Sequence, residues 1–566
     1  MMDSSSLPFK IPVLKSRNMR IGREDVVLRR SYSIVPEDFV RICQNEILHL
    51  EVELRHEEAS ALLFIHSDID CEPDQWQDLE LKQEKGRVYS LSYQVRHCGS
   101  FKFKLKYSLD AGKTWYWDRV PFSHVIVDPE ALSDIRMYTL IPRVSGKIAD
   151  WMGLLPHIAG LGFDVVHLLP ITTLDVSKSP YSAYDLFTID PAYVGDADHT
   201  GFGDFESFIA KAREKGLRLC FDLVLNHIGV GSKMVQECPE WIEPDPAERD
   251  GLKRAGCWHM NNWLKWEDLV KIYYDHPHRG IRHDIWNYMR KYALFWSHFA
   301  HLTGGMIRLD NLHSSHEGFI AHLLSGMRRT YPNLIITAEF FTDFNTIQKK
   351  AAEGQINLFS ANQWEYPYAV NLRNYLRYIH RIGNKVRYYL PITTHDTGVP
   401  AQLFGKAEAA VPRYAVTALM GTGQTGIVQG VEYGCPKKIE FIGSGEKYEF
   451  SGNTTVGEGI KAINRIFTEG SVFHRQGNLE FIDADHGAVL GALRRADGAP
   501  GNSHLVFANL DVNNGYRLAV DLTTYLKDRE RIHLEDRLNG SRYEAPLREL
   551  AVDVEPCGIR VFRIED

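Results

Sequence analysis

The spacing of apolar residues changes twice along the chain and divides it into three regions. Over 47–130 apolar and polar residues alternate, as in SFKFKLKYSL, where the aromatic residues and leucines fall on one face and the lysines on the other. A period of two is typical of a half-buried antiparallel strand. Several such runs, separated by turns with glycine or aspartate, predict a small β-sandwich over 47–130 and an irregular lead-in over 1–46.

Beyond Asp128-Pro129 short continuous apolar runs alternate with amphipathic stretches. Continuous runs indicate buried parallel strands, because helices cover both faces of the sheet. Seven or eight such units over 134–470 predict an α/β fold, the (β/α)8 TIM barrel, whose chemistry lies at the carboxyl ends of the strands. The runs are RMYTL, DVVHLLPI, LRLCFDLVL, GGMIRLD, LIITAEFF, YYLPITTHD and TGIVQG.

The segment 228–285 is too long for a plain loop, so we expect an inserted subdomain after the third strand. A period of two returns in AVLGALRR, HLVFANLD and GIRVFRI and predicts an antiparallel β-domain over 471–566. Tryptophans of the insertion and of the amino-terminal sandwich are either platforms for sugar rings or ordinary packing residues. In the insertion they are Trp241, Trp258, Trp263 and Trp266. In the sandwich they are Trp115 and Trp117, which make it a candidate carbohydrate-binding domain.

The composition narrows the class of protein. Apolar residues make up 44% and charged residues 24% of the 566 positions, which argues against disorder or a fibre. Lys and Arg number 65 and Asp and Glu 73, a net charge of −8 without blocks of one sign, so we expect no nucleic acid and no membrane surface as partner. No window reaches the roughly 18 apolar residues of a membrane span. The sequence predicts no particular oligomeric state.

The eight cysteines are scattered, without a CxxC pair or a run of cysteine and histidine ligands. This pattern predicts neither a disulfide scaffold nor a structural zinc site. The stretch MMDSSSLPFKIPVLK lacks the apolar segment of a signal peptide. We therefore expect a cytoplasmic protein.

Charged residues stand where several of the apolar runs end. The carboxyl ends of parallel strands meet at one rim, so these side chains should converge. Taken singly, each is more often a helix cap or a solvated loop residue. Four motifs in order, each at a strand end, predict an active site instead. The residues are Asp222, Asn226 and His227 after the third run, Arg308 and Asp310 in the fourth, Glu339 in the fifth, and His395 and Asp396 in the seventh.

These motifs resemble, in order, four sequence regions of the α-amylase family, glycoside hydrolase family 13. They are FDLVLNH (221–227), GGMIRLD (304–310), ITAEF (336–340) and TTHD (393–396). SPYSAYDLFTIDPAY (179–193) is similar to the tyrosine-bearing segment after that family's second strand. The motifs RLDNLHS, AEFFT and THD most resemble the glucanotransferase half of glycogen debranching enzymes.

The resemblance implies a retaining double displacement on α-glucosidic bonds, mainly α-1,4, of maltooligosaccharides or of glycogen- and starch-like glucans. Asp310 would be the nucleophile, Glu339 the general acid and base, and Asp396 the residue that stabilises the transition state. Arg308 would keep Asp310 ionised, because a nearby cation lowers the pKa of an acid.

The resemblance also implies roles in binding the sugar. His227 and His395 would donate hydrogen bonds to hydroxyl groups, Tyr184 would stack under the ring, and Asp222 would organise the strand end. No cofactor is required. A calcium ion is compatible with Asn226, which matches one ligand of the family's calcium site. Departures from the commoner pattern are Ser182, Thr394, His313 and Ser314, the last at a position that is often a ligating histidine.

Three alternatives stay open. Hydrolysis and transfer differ only in whether water or a sugar hydroxyl enters in the second step; the likeness to debranching enzymes favours a 4-α-glucanotransferase over an α-amylase-type hydrolase. A catalytically inactive carbohydrate-binding barrel would be favoured by loss of one of the three acids, and none is lost. A metal-dependent barrel enzyme is disfavoured because the cation of Arg308 beside Asp310 would repel a metal.

Overall fold

The structure is a computed structural model. It describes residues 18–22, 27–29 and 39–565, except 55–56, 58, 73, 119–120, 196–199, 260–261, 443–446, 449, 451–453, 485, 497–501 and 527–528; of 18–22, 27–29, 258–259 and 454 only the backbone is described. The chain forms two compact units. The first comprises Met1–Leu132, Phe344–Asn357 and Asn384–Val386, and the second Ser133–Asp343, Leu358–Gly383 and Arg387–Asp566.

The first unit contains a β-sheet in which ten strands are described. Nine of them follow one another in the order Val27–Arg29, Asn18–Gly22, Ile47–Glu53, Val88–Gln94, Gln77–Lys85, Leu62–Ser67, Gly99–Ser108, Ser123–Asp128 and Phe39–Cys43, and Tyr116–Trp117 pairs with Gly99–Ser108. Ser123–Asp128 and Phe39–Cys43 pair in parallel, and the other neighbours are antiparallel. Alternate side chains such as Ile65, Phe103 and Leu105 form the core. Trp115 and Trp117 pack beside Phe64 and His66, and the carbohydrate-binding role of this sheet stays a prediction.

The expectation of an irregular lead-in over 1–46 is wrong, because three of these strands begin before residue 46. The strand Phe39–Cys43 escaped the pattern analysis because all five of its residues are buried, including Arg41. The guanidinium of Arg41 donates a hydrogen bond to the carbonyl oxygen of Ile356 (2.8 Å) and lies 3.5 Å from the carboxylate of Asp128. A buried arginine thus interrupts an apolar strand. Residues 1–17, 23–26 and 30–38 lie outside the described residues.

The second unit contains a closed barrel of eight parallel strands in chain order, which confirms the predicted (β/α)8 fold. Its strands are β1 (Ile135–Leu140), β2 (Val165–Leu168), β3 (Arg218–Leu223), β4 (Met306–Leu309), β5 (Ile335–Ala338), β6 (Leu358–Ser360), β7 (Tyr388–Pro391) and β8 (Gln424–Val428). Helices of the same unit are Ile148–Gly160, Phe202–Glu214, Lys233–Glu237, Arg279–His301, Glu317–Thr330, Ala369–Ile382, Pro400–Phe404, Ala410–Leu419 and Thr454–Glu469. The helix Phe344–Ala352, which follows β5 in sequence, belongs to the first unit.

Two small sheets lie in the connections of the barrel. Thr172–Leu174 pairs with Ala183–Ile189 after β2. After β3, the strands His227–Gly229, Asn262–Lys271 and Arg254–His259 form an antiparallel sheet in that order. The second and third strands of this order, Asn262–Lys271 and Arg254–His259, form a hairpin, Arg254–Lys271. The first strand begins at His227, just after β3, and joins the hairpin to this end of the barrel.

The carboxyl-terminal segment forms two antiparallel sheets. The larger has the order Leu479–Ile482, Val489–Arg494, His504–Asn509, Ile559–Glu565, Arg531–Asp536 and Arg542–Pro546, and the smaller pairs Tyr516–Val520 with Leu550–Val554. The fully buried guanidinium of Arg494 donates hydrogen bonds to the carbonyl oxygens of Gly421 (2.7 Å), Val472 (2.6 Å) and Arg475 (2.9 Å). Arg494 therefore joins this sheet to the segments before β8 and after the last barrel helix. Within the described residues, no helix is long and apolar enough to cross a membrane.

Candidate active site

The backbone ladder of the barrel brings the predicted residues to one rim. Asp222 in β3 pairs with Arg308 in β4. The ladder continues one residue beyond the strands, because the amide of Asp310 donates to the carbonyl of Leu223 (3.0 Å) and that of Glu339 to the carbonyl of Leu309 (3.0 Å). Asp310 and Glu339 are therefore neighbours at the ends of adjacent strands. His395 and Asp396 follow β7.

Arg308 is the centre of the site. Its Nη1 lies 2.5 Å from Oδ2 of Asp222 and 3.2 Å from Oδ1 of Asp310, and its Nη2 lies 2.8 Å from Oε2 of Glu339. The same Oε2 accepts a hydrogen bond from the backbone amide of Asn311 (3.0 Å). Burial opposes the charged guanidinium, but these carboxylates hold the pKa of Arg308 well above its usual value. One cation is thus shared by three acids.

The shared cation does not ionise the three acids equally. Asp222 has a completely buried carboxylate, yet the attraction of Arg308 and His167 outweighs burial and lowers its pKa. Burial raises the pKa of Asp310 well above its usual value; the negative charge of Glu339 adds to this rise, and Arg308 acts against it. The expectation that Arg308 keeps Asp310 ionised in the free site is therefore wrong, because the closest bond of that guanidinium goes to Asp222.

A tyrosine joins the site, and it is Tyr181 rather than the predicted Tyr184. The hydroxyl of Tyr181 donates to Oδ2 of Asp222 (3.0 Å) and lies 2.6 Å from Nε2 of His395. Its ring stacks on His395 with 5.5 Å between the centroids and 10° between the planes. Tyr184 lies inside the strand Ala183–Ile189. The apolar residues of AYDLFTI do not alternate with polar ones, so the sequence carried no clear signal for choosing Tyr181 over Tyr184.

Both predicted histidines are buried. Burial, together with the positive charge of Arg308, lowers the pKa of His395 to about 3. Burial lowers the pKa of His227 to about 4, and its Nε2 lies 3.2 Å from the carbonyl oxygen of Tyr181. His227 therefore contacts the group through Tyr181 and not through an acid. Both rings are neutral at physiological pH.

A third histidine, His167 in β2, was not predicted. It lines a pocket of about 460 Å³ together with Thr139, Arg308, Glu339 and His395. Its Nδ1 lies 3.1 Å from Oγ1 of Thr139 and its Nε2 3.4 Å from Oδ2 of Asp222. The signal for it was a single polar residue inside the continuous apolar run DVVHLLPI.

Asp396 occupies the open side of the site. Half of its side chain (51%) is exposed, and its Oδ2 lies 3.1 Å from Nε2 of His395. The Nζ atom of Lys438, from the segment after β8, donates to the backbone carbonyl of Asp396 (3.2 Å). The same segment places Phe441 edge-on to Tyr181 and to His395. The sequence analysis did not select Lys438 or Phe441.

Asn226 and Ser314 are the residues considered for calcium. The Oδ1 atom of Asn226 is buried without a hydrogen-bond partner. Ser314 lies in a short 3₁₀ turn after β4. Across the part of the chain that the structure describes, no group of three or more His, Cys, Asp or Glu side chains is arranged to hold a metal ion. Calcium binding stays a prediction.

Comparisons with known proteins agree with this geometry. The sequence model described as glycogen debranching enzyme, glucanotransferase domain, matches residues 130–242. An α-1,4-glucan:maltose-1-phosphate maltosyltransferase of Cereibacter sphaeroides is 26% identical over 460 residues, 74% of this chain and 65% of that protein. The protein of the same name from Corynebacterium glutamicum is 24% identical over 82% of this chain and 73% of its own length. The chain spans just under two thirds of the length of the relatives from C. sphaeroides and Rhodospirillum rubrum.

Solved structures share the fold. A maltogenic α-amylase, AmyB of Thermotoga neapolitana, has a TM-score of 0.61 at 16% identity over 77% of this chain and all of its own. The debranching enzyme of Nostoc punctiforme has a TM-score of 0.58 at 14% identity over 77% of this chain and 99% of its own.

A (β/α)8 barrel with Asp310, Glu339 and Asp396 on the rim around one arginine defines the class of α-amylase-type barrels. The four motifs, the matching sequence model and the named relatives agree on one family. These findings support an enzyme of the α-amylase family, glycoside hydrolase family 13.

Proposed function

We propose that the chain is a retaining transglycosylase, a 4-α-glucanotransferase that acts mainly on α-1,4 bonds of maltooligosaccharides or glycogen-like glucans. The observation that carries the proposal is that Asp310 and Glu339 bind the two terminal nitrogens of one guanidinium, that of Arg308. Retaining glycosidases place their two carboxyl groups about 5 Å apart, whereas inverting enzymes separate them by about 6.5–9.5 Å, and a shared guanidinium favours the closer spacing.

The residues divide the double displacement between them. In the first step a carboxylate oxygen of Asp310 forms a bond to the anomeric carbon, the glycosidic C–O bond breaks, and Glu339 gives its proton to the leaving oxygen. In the second step Glu339 takes the proton of the incoming hydroxyl, whose oxygen bonds to the anomeric carbon and releases Asp310. Asp396, on the open side, accepts hydrogen bonds from the sugar hydroxyls.

The electrostatics support the proton inventory of this scheme. The reaction requires one proton on the pair Asp310 and Glu339 and places it on Glu339. Burial and the charge of Glu339 raise the pKa of Asp310, which disfavours ionisation of both acids of the pair at once. A substrate whose glycosidic oxygen accepts a hydrogen bond from Glu339 would draw that proton to Glu339 and leave Asp310 ionised.

Transfer is favoured over hydrolysis by the kinds of protein that the chain resembles. The matching sequence model is a glucanotransferase domain, and the relatives are named maltosyltransferases. Hydrolysis by the same residues, with water in the second step, is the alternative. No step is routed through a metal, and the cytoplasmic location stays a prediction.

One observation favours a second donor. Lys438 brings a cation to the rim beside Asp396. The named relatives carry maltose 1-phosphate in their names, and a cation at this position would attract a phosphate leaving group. A glycosyl phosphate is therefore the second candidate donor for the same transfer.

The test is incubation of the purified protein with maltopentaose, with products followed by chromatography and Glu339→Gln as control. Longer and shorter oligomers that appear together, with little new reducing sugar, support the transferase. Only shorter products with rising reducing ends would replace it by a hydrolase. A parallel reaction of maltose 1-phosphate with maltopentaose, measured by release of inorganic phosphate, tests the second donor. A wild-type protein inert in both reactions and toward branched glucans would contradict the proposal.

A further inference from the structure

The hairpin Arg254–Lys271 has two different faces. Cys257 pairs with Leu264, and Gly256 pairs with Lys265. Because successive side chains of a strand point to opposite faces, Leu264 and Trp266 share one face with Cys257. Trp263 and Lys265 lie on the other. The four tryptophans of the insertion therefore do not share one role.

The face with Trp266 looks toward the catalytic group. The ring of Trp266 stands edge-on to that of His227, with 5.6 Å between the centroids. His227 in turn contacts the backbone of Tyr181, whose hydroxyl binds Asp222. Burial and the negative charges of Glu339 and Asp396 raise the pKa of Cys257, which agrees with a thiol that faces the same acids.

Two apolar side chains of this face are accessible: Leu264 is 46% exposed and Trp266 is half-buried. On the opposite face Trp263 is 47% exposed, and Lys265 binds Glu248 (3.0 Å) and Glu267 (3.1 Å). The ring of Trp263 lies against Gly256, where a Cβ would come within 2.8 Å of it. Trp241 packs edge-on to Tyr288 of the helix Arg279–His301.

We infer that the face formed by Cys257, Leu264 and Trp266 is the acceptor subsite, which binds the glucan chain that receives the transferred unit. This inference rests on the proposed function and deepens it. A pyranose ring presents C–H groups to an aromatic or aliphatic side chain and keeps its hydroxyls free for polar partners. An acceptor held on Trp266 would direct its terminal hydroxyl toward Glu339, and its residence there would favour it over water.

The experiment compares two tryptophans of one strand, Trp266→Ala on the inferred subsite and Trp263→Ala on the opposite face. With maltopentaose as donor and maltose as added acceptor, the transfer-to-hydrolysis ratio and the half-saturating acceptor concentration are measured. Loss of one aromatic contact should raise that concentration about tenfold in Trp266→Ala and lower the ratio by a similar factor. Trp263→Ala should change both quantities less than about twofold. Trp266→Phe should restore most of the loss.

Equal effects of the two alanine variants, or wild-type values in Trp266→Ala, would overturn the inference while leaving the proposed function intact. Thermal midpoints within about 2 °C of wild type identify folded variants. Should Trp266→Ala fail to fold, Leu264→Ser on the same exposed face replaces it, with the same expected direction. Absence of any glucan turnover by the wild-type protein would instead refute the proposed function, and the acceptor subsite would fall with it.

Discussion

Replacing Arg308 by methionine should destabilise the barrel by several kcal/mol, and the loss should depend on pH. The guanidinium lies 2.5, 3.2 and 2.8 Å from the carboxylates of Asp222, Asp310 and Glu339. At about 3 Å and an effective dielectric constant near 20, each full charge pair contributes roughly 5 kcal/mol of gross attraction. The cost of burying Arg308 offsets most of the sum, and removing one partner of a buried pair typically costs about 3–5 kcal/mol.

The pH dependence follows from Asp222. In the wild-type protein Arg308 and His167 outweigh burial and hold the pKa of Asp222 below that of the unfolded chain, about 3.9. This carboxylate therefore stabilises the fold above pH 4, and its contribution is lost as the pH falls through the folded pKa. In Arg308→Met that contribution is absent and a buried carboxylate is left unpaired. The difference between the proteins should be full at pH 7 and should shrink progressively as the pH falls below 4 toward the folded pKa of Asp222.

The assay is differential scanning calorimetry of both proteins between pH 3 and pH 8. A loss of about 3–5 kcal/mol corresponds to a midpoint lowered by roughly 4–8 °C at pH 7 for a unit of this size. Arg308→Lys is the matched control: it keeps the charge but not the fork that reaches three acids, so it should recover only part of the midpoint. A decrease that is the same at pH 3.5 and pH 7, or below about 1 °C at pH 7, would refute the reasoning.

Three further predictions test other contacts of the site. Asp310→Asn should lower kcat by at least about 10⁴-fold while raising the thermal midpoint by about 1–2 °C at pH 7. A carboxyl group with a raised folded pKa destabilises the fold above pH 4 when it ionises, so the gain in midpoint should vanish below pH 4. An active variant would remove Asp310 from the mechanism. Tyr181→Phe loses the hydroxyl that binds Asp222 and His395 and should lower kcat/KM by about 10–100-fold. Tyr184→Phe should lower kcat/KM less than about twofold. The reverse order in steady-state assays would favour Tyr184 as the tyrosine of the site. Because the pKa values of His227 and His395 are lowered to about 4 and about 3, the profile of kcat/KM against pH should show no inflection near 6.5 from these two rings. An inflection there that disappears in His395→Gln would contradict the neutral state of His395.

The barrel fold could be predicted from the sequence because strands that are buried on both faces appear as continuous apolar runs. LRLCFDL and the other apolar runs became β3 and its neighbours, since helices and the barrel interior exclude water from both sides of each strand. The strand Phe39–Cys43 was not accessible in the same way. Its buried Arg41 finds its carboxylate partner at Asp128, and a partner so distant in sequence leaves no local pattern.

The positions of the acids of the site could also be predicted from the sequence, but their pKa values could not. Asp310 and Glu339 directly follow β4 and β5, whose ends the periodicity locates to within a residue, whereas Asp396 lies five residues beyond the end of β7. The pKa of Asp310 depends on how one guanidinium is divided among three acids, which is a matter of a few tenths of an ångström. His167 was hidden for a related reason, because its partner Asp222 comes from a neighbouring strand.

The bonds of Arg494 bear on how this protein changes through evolution or engineering. Its guanidinium donates hydrogen bonds to three backbone carbonyls, before β8 and after the last barrel helix, that would otherwise be left without a donor. A gene truncated between Arg475 and Arg494 would therefore encode a barrel with unsatisfied polar groups, not a minimal enzyme. Exchange of carboxyl-terminal sheets between relatives would succeed only where the incoming sheet supplies a buried cation at the same place. The two parts are inherited together.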